Sequence, residues 1–117
     1  MASKMLNIEK EGDITIVTLK DKNFIHDDND VLMKAFDEIL NKDHKKIILD
    51  LCETSYISSL ILASMVYLHK KIKDNGGSLV FCNVKDRVKE IMEMTNLHKV
   101  FDIVLLKEQA VIKLNKM

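Results

Sequence analysis

Proline is absent from this chain, and glycine occurs only three times in 117 residues. Turns and helix ends must therefore be marked by Asn, Asp and charged side chains, which blurs element boundaries more than element identities. Cysteine is scarce as well. Cys52 and Cys82 form neither a CxxC pair nor a metal-ligand spacing, and the histidines (His26, His44, His69, His98) are scattered. That excludes the usual sequence patterns of a zinc site, and both cysteines are expected to be small buried hydrophobes. Net charge is missing too: 18 basic residues balance 18 acidic ones, so nothing draws the chain broadly to nucleic acid or anionic lipid. The longest uncharged apolar run, Tyr56 to Leu68, contains three serines and is too short to span a bilayer. Met1-Ala2-Ser3-Lys4 leads into a strand-like segment without a signal-peptide core, so a cytoplasmic location is expected.

What is present is an ordinary globular composition, 47% apolar and 31% charged, at the size of one domain covering 1–117. Met5 to Lys10 and Asp13 to Leu19 are β-prone runs around Glu11-Gly12 and predict a hairpin. A polar loop, Lys20 to Asp28, carries the apolar pair Phe24-Ile25. Helix one should start near Asp28, with Asp27, Asp28 and Asp30 at its positive end. Its apolar face is Val31, Leu32, Ala35, Phe36, Ile39 and Leu40. Ile47 to Leu51 reads as a central strand, apolar except at Asp50.

Helix two is predicted over about Ser58 to Asp74, with Ile61, Met65, Leu68 and Ile72 as its core stripe and Asn75-Gly76-Gly77 as its stop. Ser78 to Cys82 is a further buried strand, Asp86 to Met94 a third helix, Phe101 to Leu105 a last strand, and Glu108 to Lys116 a terminal helix. The order β-β-α-β-α-β-α-β-α implies an α/β domain: a mixed, mainly parallel sheet of four to five strands with about four helices.

Chemistry concentrates where the central strand gives way to helix two. Ser58 and Ser59 lie at a helix start, where outward N–H groups and the positive dipole end suit an anion such as phosphate. Either serine also suits a plain N-cap, Ser58 better than Ser59. Leu60, Ser64, Tyr67 and Lys71 fall off the core stripe. They form either an outer apolar patch for a partner or a contact with helix three or the terminal helix.

From Ile47 onward the chain resembles the STAS domains of bacterial anti-sigma-factor antagonists. The resemblance rests on Leu49-Asp50-Leu51, Tyr56-Ile57-Ser58-Ser59-Leu60-Ile61-Leu62-Ala63, Gly76-Gly77-Ser78-Leu79-Val80-Phe81-Cys82-Asn83-Val84, and Met94-Thr95-Asn96-Leu97-His98-Lys99-Val100-Phe101. It extends over the whole chain in element order but is specific in sequence only over the second half.

The resemblance implies a binding switch and not an enzyme. In the family, the unphosphorylated antagonist binds an anti-sigma factor that is also a serine kinase, and phosphorylation of one serine ends the complex. Carried over by position, that serine is Ser59, between Ser58 and Leu60, with His26 in the first loop. Together with the outer face of helix two, this makes Tyr56, Ser58, Ser59, Leu60, Ser64, Tyr67 and His26 the expected partner-binding residues. No cofactor or metal is implied. Three positions leave the family pattern: Ser58 stands for Asp, Leu60 for Ser or Thr, and Ile61 for Gly. Two readings follow, a phosphorylatable antagonist and an unmodified STAS scaffold or nucleotide-sensing module. Asp50 as a phosphoacceptor of the receiver type would need an acidic pair ending the first parallel strand, whereas the Asp27-Asp28-Asp30 cluster precedes a helix, and no catalytic triad or Walker-type glycine loop occurs.

Overall fold

The computed structural model describes residues 6–24, 29–42 and 44–116, with only the backbone at Phe24. Its first strands, β1 (Leu6–Glu11) and β2 (Ile14–Leu19), pair antiparallel around Gly12, whose φ of +63° supplies the tight turn. Then come a two-residue strand β3 (Asn23–Phe24), helix α1 (Asn29–Asn41), strand β4 (Lys46–Asp50), a second two-residue strand β5 (Tyr56–Ile57) and helix α2 (Ser59–Asp74). Strand β6 (Ser78–Cys82), helix α3 (Asp86–Met94), a 3-10 turn at Leu97–Lys99, strand β7 (Asp102–Ile103) and helix α4 (Lys107–Asn115) complete the described chain.

The main sheet runs β1-β2-β4-β6-β7, parallel from β2 onward. Each parallel strand is laid down beside the last in one direction. Right-handed crossovers therefore put α1, α2 and α3 on the same face. That face holds the larger core: Val17, Leu19, Leu49 and Phe81 from the sheet pack with Leu32, Phe36, Ile61, Met65, Leu68 and Val88 from the helices. On the opposite face Ile14, Ile16, Ile48, Val80 and Cys82 are covered by Ala110 and Leu114 of α4. With both faces covered, β2, β4 and β6 are buried almost throughout and are built mainly of apolar and β-branched residues.

The α/β fold expected from the sequence is thus the one observed, with four helices and a five-stranded, mostly parallel sheet among the described residues. Three features differ. The segment read as a polar loop contributes β3, which pairs in parallel with β5 to form a separate two-stranded sheet. The last strand is cut to Asp102–Ile103, although the Val104 N–H still donates to the Phe81 carbonyl at 2.9 Å. Cys52, expected to be buried, is exposed in the turn after β4, while Cys82 is buried. Burial and the nearby Asp50 carboxylate push the Cys82 thiol up to about 12. The Ile25, Asp27 and Asp28 positions lie outside the described residues.

The stop after α2 shows how two adjacent glycines serve different needs. Gly76 has φ +80°, a left-handed conformation that costs an L-residue about 1–2 kcal/mol. A Cβ at Gly77 would sit 2.6 Å from the Lys45 carbonyl oxygen. That oxygen already accepts from the Ser78 N–H at 2.7 Å and cannot retreat without breaking the bond. Gly77→Ala is therefore expected to cost about 2–3 kcal/mol in urea unfolding, and Gly76→Ala less.

Candidate functional site

Helix α2 begins where β4 has left the sheet and the chain has turned through residues 51–58. Three sets of bonds fix that turn. The Asp50 carboxylate is 6% exposed, and its Oδ1 accepts from the Cys52 N–H and from Asn83 Nδ2, each at 3.0 Å. Asn83 reaches it from the loop after β6 with φ +54°, a conformation Asn tolerates better than most residues. The buried Thr54 hydroxyl lies 3.3 Å from the Leu19 carbonyl and donates to that of Asp21 at 2.9 Å. Finally, the Ser55 and Tyr56 N–H groups both donate to the Lys22 carbonyl, leading into the β3–β5 pair. Lys20 and Glu53 close the outer side with an ion pair at 2.7 Å.

The two serines at the end of this turn have different environments. Ser58 is the N-cap, with extended backbone (φ −72°, ψ 162°), and its Oγ accepts from the Ile61 N–H at 3.2 Å. Ser59 is the first helical residue, and it is exposed. The first turn of α2 contains no acidic residue, while Lys71 and Lys73 lie in the last turn. The positive end of the dipole at Ser59 is therefore uncompensated, and a negative group there is stabilised by the helix.

Among the other sequence-predicted residues, Tyr56 and Tyr67 are exposed, at 38% and 52%. Lys71 Nζ stands 5.7 Å from the Tyr67 ring centroid, within cation–π range. Leu60 is half-buried. Ser64 is half-buried as well, and its hydroxyl donates to Asn29 Oδ1 on α1, so it serves the α1–α2 contact. His26 lies outside the described residues. The exposed stripe of α2 therefore runs Ser59–Ala63–Tyr67, with Tyr56 beside its start. Ala63 had not stood out in the sequence, because a lone alanine carries no chemical signal.

Ile61, which departs from the family glycine, is 0% exposed and belongs to the main core. Its side chain points away from the exposed stripe. Elsewhere, a recess of about 420 Å³ opens beside β7, α3 and α4, lined by Val84, Lys89, His98, Phe101, Asp102 and Leu105 among others. It includes none of the predicted site residues. Among the described residues, no group of three or more His, Cys, Asp or Glu could hold a metal ion, and no helix is long and apolar enough to cross a membrane.

The STAS domain family profile matches residues 5–110. The chain belongs to the STAS domain family. A candidate anti-sigma factor antagonist of Thermotoga maritima is 33% identical over 69 residues, which are 59% of this chain and 61% of that protein. The alignment thus spans less than two thirds of the relative's length. A crystal structure of a candidate anti-sigma factor antagonist from the same organism superposes with a TM-score of 0.89 at 25% identity, over 95% of each chain. The Bacillus cell fate determinant SpoIIAA in its phosphorylated form shares the fold, with a TM-score of 0.71 at 11% identity over 92% of this chain and 97% of that one.

Three stability measurements separate the roles assigned within this STAS domain. Ser58→Ala should lose about 1 kcal/mol on chemical denaturation through the missing cap, whereas Ser59→Ala should stay within about 0.5 kcal/mol of wild type. Asp50→Ala should lose about 1–3 kcal/mol, because it strands the two donors that converge on Oδ1.

Proposed function

We propose that this protein is an anti-sigma-factor antagonist: it binds an anti-sigma factor that is also a serine kinase, and phosphorylation of Ser59 ends the complex. The observation that carries this reading is the division of labour at the start of α2. Ser58 provides the cap, which leaves the Ser59 hydroxyl exposed at the first helical position. An acceptor serine must reach a kinase active site without tearing out a structural bond, and Ser59 meets that condition.

The departures from the family pattern weigh less than they do in the sequence alone. A Ser at position 58 still supplies the oxygen that accepts the Ile61 N–H. An Ile at position 61 faces the core and does not obstruct a surface approaching Ser59. Charge then provides the switch. A phosphate adds about −1.5 to −2 charge and three acceptor oxygens, which the helix N-terminus tolerates within the domain. A partner packed over Ser59, Ala63 and Tyr67 must desolvate that charge or be repelled by it. Relatives named as candidate anti-sigma factor antagonists, and a phosphorylated SpoIIAA of the same fold, support the assignment. The role is one of binding, not of catalysis.

The test uses an anti-sigma-factor kinase encoded in the same genome, ATP and intact-mass detection. A single phosphate is expected on the wild type and none on Ser59→Ala. Ser59→Asp should weaken the complex by tenfold or more in a direct binding measurement, about 1.4 kcal/mol. If Ser59→Asp binds as tightly as wild type, the protein acts instead as an unmodified STAS scaffold.

A further inference from the structure

Among the described residues, one buried side-chain nitrogen has no hydrogen-bond partner: Nε2 of His69. An orphaned buried polar atom in a native fold calls for a physical account. His69 lies on the sheet-facing side of α2 and is 8% exposed. Its ring meets Phe101 edge-on, with centroids 5.6 Å apart and planes at 67°. Phe101 in turn stacks on Phe81 of β6 at 4.5 Å and 28°. These contacts make one aromatic column from α2 through the start of β7 to the central sheet.

We propose that His69 is an acid-sensitive latch: its neutral ring holds the Phe101 corner, formed by the 3-10 turn and β7, and protonation releases that corner. A neutral imidazole suits an edge-on aromatic contact in an apolar site. An imidazolium there would have a buried Nε2–H without an acceptor, which is costly.

The surrounding charges do not rescue the protonated form. Burial is the main influence and holds the ring's proton affinity below the ordinary 6.5. Lys73, one turn further along α2, acts in the same direction, and Asp102 on β7 opposes both. Asp102 is itself engaged by Lys113 of α4 at 3.2 Å. Strand β6, beneath the ring, carries no charged residue. The corner is also the part of the fold with the least regular structure to lose: β7 has two residues and the 3-10 turn three. Local opening is therefore a cheaper way to hydrate the imidazolium than global unfolding.

The sign follows from linkage. The open corner exposes a histidine of ordinary affinity, and the closed corner holds one of lowered affinity. The closed form is fully favoured above pH 6.5 and loses ground as pH falls below it. With an open-state affinity near 6.5, opening should rise between pH 7.5 and 5.5 by at most about tenfold.

Proton NMR of the wild-type protein reads the His69 ring directly, and amide exchange reads the corner through the Phe101 and Val104 N–H groups, which donate to the Leu97 and Phe81 carbonyls at 2.9 Å. The expected result is a His69 midpoint below 6.5. Exchange at Val104, corrected for its intrinsic pH dependence, should accelerate by up to about tenfold at pH 5.5. His69→Leu should abolish the acceleration and His98→Gln should preserve it. A His69 midpoint at or above 6.5, or the same acceleration in His69→Leu, overturns the proposal. If His69→Leu does not fold, the wild-type ring titration and exchange decide it alone.

Discussion

The candidate site depends on one buried carboxylate. β4 is a parallel strand covered on both faces, yet it ends in Asp50, whose side chain is almost wholly removed from water. A carboxylate in that position must have donors. It draws one from the backbone two residues ahead, at Cys52, and one from Asn83 in the loop after the neighbouring strand. The first bond folds the chain back as it leaves the sheet. The second ties that turn to β6, so the start of α2 is referenced to two strands at once.

A second anchor works from the other side. Thr54, Ser55 and Tyr56 bond to carbonyls at Leu19, the last residue of β2, and at Asp21 and Lys22 just beyond it. The β4–α2 turn is therefore held between the chain exits of its two flanking parallel strands, β2 and β6. Rigid placement matters for a binding surface made of few side chains. Each anchor fixed in advance lowers the ordering cost that binding would otherwise incur. Ser59, Ala63 and Tyr67 lie on a helix whose origin is fixed in this way, and Tyr56 lies on the short strand that leads into it.

How much of this was legible in the sequence follows from the range of each interaction. β4 and β6 announce themselves because burial on both faces demands apolar runs. α2 does so because its core stripe repeats at the helical period. The β3–β5 pair was not legible: two residues carry no periodicity, and the pairing comes from Thr54, Ser55 and Tyr56 bonding to a distant segment around Asp21 and Lys22. Ser64 shows another limit. Its position off the core stripe was readable, but the contact that claims it comes from Asn29 of α1, and no local pattern encodes that neighbour. Cys52 illustrates the same point in reverse. Residue type favours burial, but the turn that satisfies Asp50 carries the thiol outward. The helix start at Ser58-Ser59 was legible because such a start leaves its mark in local sequence; choosing Ser59 over Ser58 as the acceptor needed the family resemblance.

The two serines also show why a switch can be built into a domain without weakening it. The capping hydroxyl and the free hydroxyl are adjacent but bonded differently, so chemistry at one leaves the other's bond intact. A negative charge at the first helical position is favoured by a dipole that no acidic side chain in the first turn has already offset. The same charge would lie at the edge of a surface that includes Ala63 and Tyr67, where a docked partner excludes water and the cost of desolvation rises. Under the proposed switch, folding and binding would thus respond to a phosphate at Ser59 with opposite sign. A turn held by Asp50, Thr54 and Asn83 would keep those responses separate, because none of the bonds that fix the helix start involves the Ser59 hydroxyl.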